Sequence, residues 1–134
     1  MRIPNNAIVA VADGEILNLY KNDGDESSPK LTALPAAAVS TDNKGSGGRH
    51  QSSSANPADS QQDEDSFAAG SAALLNKRVL DGKIASLVIV AAPRTLGELR
   101  KHYHKEVEKR LTGEVAKDLT GHPVAEIEKI LQSQ

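Results

Sequence analysis

Residues 84–92 read IASLVIVAA, a nearly continuous apolar run that Pro93 closes. It is too short to cross a bilayer as a helix. A strand with apolar side chains on both faces needs a cover on both faces, which is the situation of an interior strand in an α/β sheet. This run is therefore expected to be the central strand, and the rest of the chain must supply helices above and below it.

The composition fits that demand. With two tyrosines, one phenylalanine and no tryptophan in 134 residues, the core must be built from Val, Ile, Leu and Ala. Aliphatic layers between helices and a sheet suit this composition better than a platform of stacked aromatics. The length is that of one domain, expected over residues 1–134. The absence of cysteine excludes a disulfide framework, thiol catalysis and the usual zinc-finger ligand sets.

Ahead of the central run, residues 7–12 and 15–20 read as paired strands, with Asp13-Gly14 as a two-residue hairpin signal that favours positive φ. Residues 31–39, LTALPAAAV, form a weaker third strand, and Pro35 argues that it lies at an edge or bends there. Between residues 66 and 81, Ala68, Ala72, Leu75 and Val79 repeat at helical spacing, and Gly82 stands where a helix stops. After the central run, Thr95 and Glu98 have the spacing of a capping box, so a helix is expected from Thr95, with Leu96, Leu99, Tyr103 and Val107 on one face. Residues 111–119 alternate like a strand, and Pro123 opens a last helix with Val124, Ile127 and Leu131 as its apolar stripe. The fold class is α/β (α+β): a mixed sheet of about five strands in the order β-β-β-α-β-α-β-α, with flanking helices.

Residues 40–65 break the periodicity, with six serines, three glycines and no Val, Ile, Leu or aromatic residue. Such a stretch buries too little apolar surface to offset its ordering entropy, so a flexible Gly/Ser-rich loop is expected. The acids in QQDED at its end would sit well at a helix N-terminus.

The formal charge of −2 gives no global sign of nucleic-acid binding. One local concentration stands out: between Arg94 and Arg110, six basic residues oppose three acids. Arg94 follows the central strand at a helix start, where open sheets bind anions. The plainer alternative is an ion pair with a nearby acid such as Asp118. His102 and His104, if helical, point about 200° apart and cannot chelate one ion together, so no metal site is read. No cofactor fingerprint, nucleophile elbow or Walker loop is present, and no catalytic residue is assigned. The N-terminus lacks the pattern of an export signal, which points to a cytoplasmic protein without membrane contact.

The segments VAVADGE, VIVAAPRTLGELRK and KDLTGHPVAEIEKIL resemble the host attachment protein family, bacterial proteins described as required for attachment to host cells. That family is grouped with bacterial relatives of the archaeal and eukaryotic peptide release factors. The similarity covers residues 4–21 and 84–131. It implies a sheet like that of the release-factor middle domain, a ribonuclease-H-like arrangement. It also brings Lys117 and Asp118 forward as a candidate pair, since the family shows both. The family often has proline after the histidine at His104, where this chain has Lys105, which implies that a helix break there is softened.

In the release factors a Gly-Gly-Gln loop lies between the third strand and the first helix and enters the peptidyl transferase centre. Residues 40–65 occupy the same topological place, but Gly47-Gly48 is followed by Arg49, and glutamine comes only at Gln51. Chemistry that needs one amide beside an ester tolerates little displacement. The resemblance thus implies a non-catalytic binding domain. Its candidate binding residues are Arg94, Thr95, Arg100, Lys101, Lys105, Lys117, Asp118 and Arg49, facing RNA or the ribosome. A cytoplasmic regulatory role in attachment through a protein partner, and a hydrolase acting on an ester or nucleic acid, are the alternatives.

Overall fold

The computed structural model describes residues 1–41 and 57–134. The elements are β1 (Ile8–Ala12), β2 (Leu17–Asn22), β3 (Leu31–Ala33), α1 (Pro57–Leu80), β4 (Leu87–Ala91), α2 (Pro93–Arg100), α3 (Lys105–Arg110), β5 (Leu111–Val115) and α4 (Val124–Gln132). This is the expected order with the second helix divided into two. The strands form one mixed sheet in the order β3-β2-β1-β4-β5. β1 pairs antiparallel with β2, and β2 with β3, while β1, β4 and β5 run parallel.

The sheet has a core on each face. Ile8, Ala10, Ala12, Leu87, Ile89 and Ala91 pack with Ala68, Ala72, Leu75 and Val79 of α1, Leu96 and Leu99 of α2 and Val107 of α3. Val9, Val11, Val88, Val90 and Val115 turn the other way and pack against Ile127 and Leu131 of α4. This double cover is why β1 and β4 are buried at every position. The middle place, expected for residues 84–92, belongs to β1; β4 lies one strand away, because the crossover through α1 sets it beside β1 and β5 extends the sheet beyond it.

Several local expectations change. Gly14 does not have positive φ. Instead the Asp13 carboxylate closes the hairpin, its Oδ1 accepting from the amides of Glu15 and Ile16 at 2.7 and 2.6 Å. β2 consequently starts at Leu17 rather than Glu15. The third strand is an edge strand as read, but only three residues long. Residues 34–40 then leave the sheet, and Leu34, Ala37 and Val39 pack on the α1 side of the core.

α1 begins at Pro57, inside the stretch read as a loop, so Asp63, Glu64 and Asp65 belong to the helix rather than preceding it. It ends as expected at Gly82, φ +79°, where Lys83 N–H donates to Arg78 C=O and Gly82 N–H to Val79 C=O. α2 starts at Pro93, two residues before Thr95, with Ala92 as N-cap and no side-chain cap, so the capping box does not form. Glu98 pairs with Lys101 at 2.6 Å instead.

The helix breaks after Arg100. His102 and His104 lie in the linker between α2 and α3, and the softening expected at His104-Lys105 is absent. The break is held from α1: the Asn76 side-chain amide donates to His102 C=O, and its Oδ1 accepts from His104 N–H, both at 2.9 Å.

Candidate functional site

The carboxyl ends of β1, β4 and β5 share one end of the sheet, and each continues into a polar loop. After β1 comes Asp13, after β4 come Pro93 and Arg94, and after β5 come Lys117 and Asp118. The loop from β5 to α4 folds back across this end. Thr120 Oγ1 lies 2.9 Å from Asp13 Oδ2 and 2.9 Å from Asp118 Oδ1, so its single hydrogen faces two carboxylates. Asp118 Oδ1 also accepts from Thr120 N–H at 3.2 Å. Beside this loop an open depression of about 540 Å³ is lined by Asp118, Thr120, Gly121, His122, Pro123 and Glu126.

The candidate cations divide into two groups. Arg94, in the first turn of α2, stands at the carboxyl end, exposed, with Asp65 of α1 at 3.9 Å; its partner is thus Asp65 rather than Asp118. Thr95 is partly buried beside it in the same turn. Lys117 is exposed there and has no ion-pair partner among the described residues. Arg100 lies six positions further along α2 than Arg94, about 9 Å along the axis.

Arg100 is engaged in a small network on the edge strand. Its Nη2 and Nε donate to Glu114 Oε1 at 2.7 and 3.1 Å, and Tyr103 Oη donates to Glu114 Oε2 at 3.1 Å. The hydrogen bond and charge of Glu114 hold the Arg100 pKa above its usual value. Burial, reinforced by the same carboxylate, pushes the Tyr103 phenol up. Lys101 is held by Glu98, and Lys109 and Arg110 reach Glu106 at 3.2 and 3.8 Å. Lys105, the first residue of α3, is exposed and has no ion-pair partner among the described residues. Arg49, Gly47, Gly48 and Gln51 lie outside the described residues.

The basic stretch from Arg94 to Arg110 is therefore partly neutralised from outside itself, by Asp65 and Glu114. Neither acid was visible as a partner in the sequence, because one comes from α1 and the other from β5. Asp13 and Thr120 were missed as well: 107 positions separate them, and only the parallel pairing of β1, β4 and β5 brings their ends together. Among the described residues no group of three or more His, Asp or Glu side chains could hold a metal ion. No helix among them is long and apolar enough to cross a membrane.

Parallel strands with their polar loops at one end, covered by helices on both faces, define an open-sheet α/β domain of the kind that takes ligands at that end. The sequence matches the family model described as bacterial archaeo-eukaryotic release factor family 12 over residues 6–131. That span runs from just before β1 into α4, so the chain belongs to this family. No curated protein matches the chain.

Proposed function

We propose that this protein is a non-catalytic binding domain of the release-factor type, and that it contacts RNA on the ribosome. The observation that carries the reading is the family match across the whole layered body, from residue 6 to residue 131. The strand order, with β1, β4 and β5 parallel, supports a ribonuclease-H-like arrangement. A cytoplasmic location goes with this reading.

Not all the candidate cations contribute equally. Arg100 and Lys101 are tied to Glu114 and Glu98, and a phosphate would have to compete with those carboxylates. Arg94, Lys105 and Lys117 are the better phosphate contacts, because one has only a 3.9 Å ion pair and two have none among the described residues. Thr95, Asp118 and Arg49 complete the candidate set. Aromatic residues are scarce, so contact is electrostatic rather than by base stacking.

The test is a pull-down from lysate, with and without nuclease, using the wild type beside an Arg94→Gln, Lys105→Gln, Lys117→Gln variant. Capture of ribosomal RNA that nuclease abolishes and the variant weakens supports the reading. Capture that neither treatment changes would move the role to a protein partner, as in a regulatory function in host attachment. Turnover of peptidyl-tRNA or RNA would contradict a non-catalytic role.

A further inference from the structure

We propose that the N-cap of α3 is a pH-sensitive contact, in which the neutral imidazole of His104 caps the helix and proton uptake at Nδ1 breaks that cap and frees the Glu106 amide. The inference does not depend on which ligand the protein binds.

His104 is the N-cap of α3, with extended backbone at φ −74° and ψ 154°. Its Nδ1 accepts a hydrogen bond from Glu106 N–H at 3.0 Å. Most N-caps are hydroxyls or carboxylates, which keep an acceptor at every pH above the carboxylate range. An imidazole differs: it accepts at Nδ1 only in the neutral form with the hydrogen on Nε2, because the imidazolium has a hydrogen on both nitrogens. A proton and the Glu106 amide therefore compete for one lone pair.

The backbone clamp on the linker has no such dependence. Asn76, which does not titrate, holds the backbone at His102 and His104. Val107, fully buried, keeps α3 on the body, and the His104 carbonyl still accepts from Val107 and Glu108 N–H at 3.0 and 3.2 Å. Loss of the cap thus loosens the turn formed by Lys105 and Glu106 without undocking the helix.

Charged and titratable groups surround His104 on several elements. On α3 they are Lys105, Glu106, Glu108, Lys109 and Arg110, with Glu106 paired to Lys109 and Arg110. In the linker they are Lys101, His102 and Tyr103. At the end of α1 they are Lys77, Arg78 and Asp81, with Lys77 paired to Asp81, and on α2 and β5 Glu98, Arg100 and Glu114 are paired as described. Histidine is the side chain whose charge ordinarily changes between pH 5 and 8, which sets a window from pH 5.5 to 7.5.

The experiment is amide hydrogen exchange of Glu106, Val107 and Glu108 across that window, corrected for intrinsic exchange, in the wild type, His104→Asn and His102→Gln. The wild type should lose about fivefold in protection at Glu106 toward pH 5.5, the worth of a typical N-cap. His104→Asn, which keeps a non-titrating cap, should be flat, and His102→Gln should follow the wild type. Nitrogen chemical shifts of His104 in the wild type at pH 7.5 should show a bare Nδ1 and a protonated Nε2. Unchanged wild-type protection, a pH dependence that survives in His104→Asn, or the opposite tautomer would overturn the pH-sensitive cap.

Discussion

Two glycine-to-alanine changes, each inside a helix, should differ in their effect on stability. In both cases the helix gains about 1 kcal/mol from the better helix former. At Gly97 in α2 an added Cβ meets nothing within 4 Å, so that gain should appear in full. At Gly70 in α1 the same Cβ would stand 2.2 Å from Ser40 C=O and 2.9 Å from Val39 Cγ1. A backbone carbonyl cannot rotate aside, so residues 39–40 must retreat by about 1 Å to restore ordinary contact, taking Val39 away from the α1-side core. Overpacking of this kind costs about 1–3 kcal/mol, which equals or exceeds the propensity gain. Gly97→Ala should raise the urea midpoint, and Gly70→Ala should leave it level or lower it, with the two variants differing by about 1–3 kcal/mol at unchanged m-value. For a domain of this size that separates their melting temperatures by roughly 4 °C per kcal/mol. Equal stabilisation by both changes would refute the packing of residues 34–40 over α1.

Two further outcomes follow from single side chains. The Tyr103 phenol has a folded pKa above its unfolded value, so it holds its proton more tightly in the folded state. Its contribution is present below about pH 10 and is lost as pH rises from there, and denaturant titrations should show a steeper alkaline decline for the wild type than for Tyr103→Phe. Ser71 Oγ is fully buried in α1 and has no hydrogen-bond partner among the described residues, so Ser71→Ala should stabilise the protein by about 1 kcal/mol in the same assay.

The parts of the fold legible in the sequence are those set by local burial pattern. The run at 84–92 announces a doubly covered strand, Gly82 a helix stop, and Pro35 an edge or a bend, of which the edge is found, with the strand ending before the proline. The parts that were not legible depend on distant partners. The break after Arg100 is fixed by Asn76, which lies 26 and 28 positions from the two backbone groups it holds. The early start of α1 runs against a stretch whose apolar spacing begins only at Ala68. For the candidate site, charge spacing singled out Arg94 and Lys105 and the family resemblance Lys117, but neither could reveal that Glu114 and Asp65 draw on the same basic stretch. The meeting of Asp13 with Thr120 required the register of a parallel sheet, which no local pattern specifies.

The salt dependence of binding to purified ribosomes tests the central claim most directly. Each phosphate contact contributes roughly 0.7–0.9 to the slope of log affinity against log salt. The Arg94→Gln, Lys105→Gln, Lys117→Gln variant should therefore lose about 2–3 from the wild-type slope. No wild-type binding at low salt, or a slope identical in the two proteins, would contradict an electrostatic RNA contact through these three side chains.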